Sequence, residues 1–234
     1  MLTFIRELTF RSIRQSATAI KLFLLAAFFA AEGLKAEEIG FKLVDIRSID
    51  PSIVVELRYA GTHNAMHRPL YPPSMPALVR SSVAQQLANA QRFLRPYKFG
   101  LKIWDAYRPK SVQRQLWEFA HNDLYVANPD NGVGSLHTWG VAVDATLEDA
   151  WGRSILMPTD FDDFTPAAML RYPRMDSLIR SHLRLLQIAM GHNGFYGLRT
   201  EWWHFTAKNW KDYVSLPETE TTEQGSKTSP NGKL

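Results

Sequence analysis

Phe99-Gly100-Leu101-Lys102-Ile103-Trp104-Asp105-Ala106-Tyr107-Arg108-Pro109 is the stretch on which the fold turns. Phe99–Tyr107 mixes aromatic and branched apolar residues with polar ones, as strands do. Pro109 has no N–H to donate, so the strand ends there. Downstream, apolar residues recur at helical spacing over Ser111–Val126, with Val112, Leu116, Phe119 and Ala120 predicted to face inward. Asn128–Gly134 is turn-rich, Gly140–Leu147 alternates as a strand, and Ala150–Pro166 is irregular. A further helix is predicted over Arg174–Met190, with Met175, Leu178, Ile179, Leu186 and Met190 on one face. Phe195–Phe205 reads as two short strands or one bent strand.

Upstream, Phe41–Ile46 and Ile53–Tyr59 read as strands and Tyr59–Pro73 as a long loop. Ser74 is placed to cap a helix with Pro76 in its first turn, and Leu78, Val83, Leu87, Ala90 and Leu94 mark its apolar face. Three helices are too few for a sheet wound on both sides. The order predicts a single α+β domain, a mostly antiparallel sheet with helices packed on one side.

The length, 234 residues with 45% hydrophobic and 21% charged, suits one domain. With no cysteine, the chain has no disulfide framework, no thiolate metal ligand and no cysteine nucleophile. The net charge is +4, and Met1–Gly33 supplies two of those charges through Arg6, Arg11, Arg14 and Lys21 against Glu7 and Glu32. What remains holds no long basic run, which argues against a nucleic-acid partner. The basic N-terminus precedes an apolar run, Leu22–Ala31, about half the ~20 residues that span a bilayer. Residues 1–36 therefore read as an export signal, with Ala31-Glu32-Gly33 or Leu34-Lys35-Ala36 as cleavage sites, and an uncleaved anchor as the alternative. The expected location is periplasmic or secreted, with no stable membrane span after processing. Residues 217–234, rich in Thr, Glu, Ser, Gly and Lys, are expected to be a disordered tail.

Two segments carry residues suited to chemistry: Ser135-Leu136-His137-Thr138-Trp139-Gly140-Val141-Ala142-Val143-Asp144 and Glu201-Trp202-Trp203-His204-Phe205. Two imidazoles and a carboxylate match the three-ligand layout of catalytic zinc, with a fourth position open. Nearby Glu201 could move protons. Glu201 and His204 are three residues apart and would face opposite ways in a flat strand, so a shared site requires a bulge, twist or strand end between them. The plainer alternatives are loop or strand-edge polar residues, and a core strand with two buried indoles on opposite faces. Arg108, ending its strand among aromatics, suits a carboxylate or an oxyanion, or simply a surface ion pair. His63 and His67 have the spacing of a helical metal pair but sit in a loop, where it means nothing.

Taken together, Asp105–Pro109, Ser135–Asp144 and Glu201–Phe205 resemble the D-alanyl-D-alanine dipeptidase family, the VanX-like branch of the LAS-type zinc metallopeptidases. Leu57-Arg58-Tyr59-Ala60, Asn64, Tyr71 and Phe161-Asp162 extend the likeness over most of residues 41–213. The resemblance implies a zinc dipeptidase domain over 37–216 with one Zn2+ on His137, Asp144 and His204. It makes Glu201 the general base and Arg108 the stabiliser of the tetrahedral oxyanion. By the same resemblance Ser135 would lie near the substrate backbone, and Tyr59 and Asp162 would hold its ammonium. The implied substrate is a small D-amino-acid peptide, D-alanyl-D-alanine. Two departures, Trp139 before the motif glycine and a short span from Arg108 to His137, favour an alternative of D,D-carboxypeptidase or endopeptidase action on longer peptidoglycan stems. A noncatalytic zinc-stabilised module is the third reading; it would be marked by a missing glutamate or arginine, and both are present.

Overall fold

The computed structural model describes residues 42–216. The expected export signal and C-terminal tail lie outside the described residues. Among the described residues, seven strands and four α-helices follow in the order β1 (Leu43–Asp45), α1 (Ile46–Ile49), β2 (Val54–Val55), β3 (Leu78–Arg80), α2 (Ser81–Leu94), β4 (Phe99–Asp105), α3 (Lys110–Ala120), β5 (Ala142–Asp149), α4 (Ser177–His192), β6 (Phe195–Gly197) and β7 (His204–Ala207). The class is α+β, as expected. The main sheet has strand order β2-β4-β5-β7-β6, beside a two-stranded β1-β3 pair. It is mixed rather than mostly antiparallel, because β2 runs parallel to β4. Helices α2 and α4 pack on each other and on the sheet. Among the described residues no helix is long and apolar enough to cross a membrane.

Alternation along β5 builds both the core and the site. Val143, Ala145 and Leu147 are fully buried, and Leu101 and Ile103 of β4 pair with Leu147 and Ala145. The intervening residues Asp144, Thr146 and Glu148 point to the other face. Unbroken pairing would set Trp104 opposite Asp144, but the register shifts between Ile103 and Asp105, and Asp105 pairs with Asp144 instead. Such a bulge re-aims side chains next to a site. Across β5 and β7, Asp144 lies directly opposite His204.

Three helical predictions need correction. Leu78–Arg80 is a strand paired with β1, and α2 begins at Ser81, so Ser74 caps nothing there. Leu78 stands five residues before Val83, out of helical phase, and its local pattern suits a strand partner for Leu43–Asp45. Helix α3 stops at Ala120, where His121 enters the left-handed region and donates its N–H to Trp117 O. Phe119 is consequently exposed rather than inward-facing, while Val112 and Leu116 are buried. Helix α4 buries Leu183, Leu186, Ala189 and Met190, and leaves Leu178 exposed.

A 3-10 turn, Leu136–Trp139, carries His137 and closes on Gly140 at φ 69°. Buried Arg80 holds this turn through its Nε to Trp139 O (2.8 Å) and its N–H to Gly140 O (2.9 Å). A Cβ on Gly140 would sit 2.5 Å from Leu43 Cδ2. Left-handed backbone costs a non-glycine residue about 1–2 kcal/mol before any clash. Gly140→Ala is expected to lower stability by at least that much, read as a reduced urea midpoint.

Candidate active site

His137 comes from the 3-10 turn, Asp144 from mid-β5 and His204 from the start of β7. Asp144 Oδ1 is 3.1 Å from His204 Nδ1 and 3.4 Å from His137 Nε2, and the two ring nitrogens are 3.1 Å apart. Four ligands set tetrahedrally around zinc at about 2.0–2.1 Å lie about 3.3 Å from one another. The three atoms therefore already form one face of such a tetrahedron. Each imidazole has its other nitrogen engaged: His137 Nδ1 is 2.8 Å from Ala106 O, and His204 Nε2 is 3.1 Å from Thr206 Oγ1. A carbonyl only accepts, so His137 Nδ1 carries the proton and Nε2 presents its lone pair to the cluster. Thr206 Oγ1, which can donate or accept, holds the His204 ring by Nε2 and leaves Nδ1 facing the cluster, the usual arrangement around a metal-ligating histidine.

Glu201 precedes β7 in a turn closed by His204 N–H to Glu201 O (3.2 Å). The strand end required between the two residues is therefore present. Trp202 and Trp203, in the same turn, do not take opposite faces; their rings meet edge-on at 5.5 Å and pack with Trp104 and Phe161.

Arg108 is buried. Its Nε and Nη2 donate to Asp105 Oδ2 at 2.9 and 2.8 Å, its Nη1 donates to Gln113 Oε1 at 2.8 Å, and Nη2 lies 3.6 Å from Asp144 Oδ2. Its backbone N–H donates to His137 O at 3.2 Å, which ties the guanidinium's residue to a cluster histidine. The ring of Tyr59 lies beneath the guanidinium at 5.0 Å, and Tyr59 Oη donates to Asp162 Oδ1 at 3.2 Å. Asp162, at φ 57°, also accepts from Ala65 N–H at 3.1 Å. Tyr71 Oη donates to the second oxygen of Asp105 at 2.7 Å. His137, Asp144, His204, Glu201, Arg108, Ser135, Tyr59 and Asp162 all line one cavity of about 310 Å³. That is near the small end of the ~300–1,000 Å³ usual for ligand sites. The structure thus brings together every residue expected from the sequence. His63 and His67 take no part in the cluster.

The electrostatics are unequal. Burial, then Asp144 and Asp162, pushes the Glu201 carboxyl well above the ordinary range against the pull of Arg108. Burial also lifts Asp162 to about 7. Asp144 goes the other way: burial opposes its ionisation, but His137 and His204 outweigh it and hold the carboxyl low. Burial lowers His204, favouring the neutral ring that can ligate. Asp162 is thus set to exchange a proton near neutral pH and Glu201 to hold its proton more tightly than a free carboxyl, beside a carboxylate kept ionised in the ligand cluster.

A family model described as D-ala-D-ala dipeptidase (Peptidase_M15) matches residues 40–218. The chain belongs to this family. The D-alanyl-D-alanine dipeptidase of Escherichia coli (strain K12) is 31% identical over 177 residues, covering 76% of this chain and 90% of that one. The D-alanyl-D-alanine dipeptidase of Enterococcus faecium is 25% identical over 190 residues, covering 74% and 93%. Among solved structures, VanYB in complex with D-Alanine-D-Alanine is a distant likeness, at 15% identity and TM-score 0.39 over 64% of this chain and 86% of that one.

Within this member of the D-Ala-D-Ala dipeptidase family, four residues that shape the site had been given no role from the sequence: Asp105 and Tyr71, quoted only as part of the likeness, and Gln113 and Thr206. Thr206 was legible, since two residues on from His204 in a strand shares its face. Asp105 stood within the quoted Asp105–Pro109 motif, but its aim depends on the bulge. Removing the Thr206 hydroxyl with Thr206→Val frees the His204 ring and is expected to weaken metal affinity about 10–100-fold. A chelator-competition titration measures it, with the thermal midpoint of the metal-free protein as a control.

Proposed function

We propose that this protein is a zinc metallopeptidase that hydrolyses D-alanyl-D-alanine to free D-alanine. The observation that carries this reading is the triangle of His137 Nε2, Asp144 Oδ1 and His204 Nδ1, set in the same small cavity as Glu201 and Arg108. Family membership and the named relatives support it. The donor set fits zinc: two imidazoles and a carboxylate, each ring held through its other nitrogen by a partner outside the cluster. One ion per chain would be held by these three side chains. When bound, it would supply Lewis acidity and bring a water toward neutral pKa.

The chain's own groups divide the remaining work. Glu201, whose carboxyl burial makes more basic than a free one, is suited to take a proton and pass it to the leaving amine. Arg108 keeps two N–H groups beyond those held by Asp105 and Gln113, and these can meet an oxyanion. Tyr59 and Asp162 are the proposed ammonium clamp, and Ser135 lies on the wall beside the substrate backbone. A second reading, action on longer stem peptides, draws support from a larger pocket of about 810 Å³, which borders the cavity at Gly134 and Ser135 and is lined in part by Trp139. Export to the periplasm or beyond is proposed from the basic N-terminus and the apolar run Leu22–Ala31.

Incubating the zinc-loaded protein with D-alanyl-D-alanine and with a pentapeptide stem, followed by mass spectrometry of the products, tests both readings. Free D-alanine from the dipeptide alone supports the first; release only from the stem supports the second. Glu201→Gln is expected to lower kcat by about 10²–10⁴-fold while zinc content stays stoichiometric. The ammonium clamp has a pH signature. With Asp162 near 7, the carboxyl is neutral below that pH and attracts no ammonium, so KM is expected to rise as pH falls through 7. Asp162→Asn should give a high KM with that dependence removed.

A further inference from the structure

The contact between Arg108 and Asp105 leaves the guanidinium under-determined. Both Nε and Nη2 donate to the same oxygen, Asp105 Oδ2, while the other oxygen is taken by Tyr71. A single acceptor atom is a pivot; the two-oxygen fork that locks an arginine plane is not formed here. The far nitrogen, Nη1, meets its own acceptor, Gln113 Oε1, at 2.8 Å. Gln113 is in α3, is 1% exposed, and donates through Nε2 to Ala127 O at 2.7 Å. That second bond decides which way the amide points, because only the NH2 end can donate to a carbonyl. Ala127 is part of the cavity wall.

We propose that Gln113 is a positioning residue for catalysis: it fixes the roll of the Arg108 guanidinium and registers it against the cavity wall at Ala127. The Tyr59 ring limits one face of the guanidinium, Asp105 pins one edge and Gln113 pins the opposite nitrogen. Neutrality is part of the fit. A glutamate at this position would add a further carboxylate to a cavity where Asp105, Asp144, Asp162 and Glu201 already surround one guanidinium. The proposal rests on Arg108 acting on the reacting carbonyl, and the test separates the two ideas.

The experiment is a double-mutant cycle on the zinc-loaded full chain, with D-alanyl-D-alanine as substrate. Gln113→Leu is made in the natural sequence and in Arg108→Ala, with zinc content and thermal midpoint recorded for each. A misplacement of about 1 Å can cost about 10²-fold in rate. In the natural background Gln113→Leu is expected to lower kcat about 10–100-fold with KM changed less than about threefold. In Arg108→Ala it should change kcat less than about twofold, since nothing remains to be positioned. An equal fall in both backgrounds, a change confined to KM, or unchanged kcat would overturn the proposal. Unchanged kcat in Arg108→Ala itself would instead overturn the role given to Arg108. If the leucine variant does not fold, Gln113→Met, closer in length, carries the same cycle; failure of both to fold would make Gln113 architectural and also refute the proposal.

Discussion

Four carboxyls, those of Asp105, Asp144, Asp162 and Glu201, gather around the single guanidinium of Arg108 in a site largely closed to water. Buried anions in excess of buried cations cannot all stay ionised. The structure resolves the conflict by rank. Asp105 has Arg108 and Tyr71, and Asp144 has the two imidazoles. Asp162 and Glu201 are left with weaker support, and they are the two whose carboxyls rise. Positive charge brought into the cavity would relieve that excess. The same imbalance that would destabilise an empty core favours a cationic guest in this one.

The strand elements of the fold were largely legible. Alternation marked β4, β5 and the split β6–β7 region, because one-sided burial leaves a period of two in the text. The helices were less so. Leu78–Arg80 became a strand because β1 needed a partner across some thirty-five residues of chain, a tertiary demand that no local window contains. Helix α3 ended early at His121, which tolerates left-handed backbone better than most residues but marks a helix end far less plainly than glycine or proline would. The parallel pairing of β2 with β4 is likewise a matter of who lies beside whom, and a two-residue strand carries almost no pattern of its own.

The site was readable where residues act through chemistry and unreadable where they act through aim. His137, Asp144, His204, Glu201 and Arg108 stood out as titratable groups among apolar neighbours. The break in alternation between Glu201 and His204 followed from strand geometry, and the turn at 201–204 supplies it. Asp105 was hidden because its direction depends on the bulge after Ile103. Gln113 was hidden because its five-residue offset from Arg108 spans a strand end, a proline and the first turn of a helix, a path with no fixed period. Tyr71 reaches Asp105 from a loop thirty-four residues away.

The cavity is assembled from two kinds of chain. Its floor is β5 and β7, where paired strands hold Asp144 opposite His204. Much of its wall is Asp123–Ala127, the short link released when α3 stops at His121, which meets Gly134 and Ser135 across the opening. Links of this sort tolerate insertion and replacement far better than ladders do. Descendants of this chain could therefore acquire new diets by rewriting the wall, while the hydrolytic floor passed unchanged from one to the next.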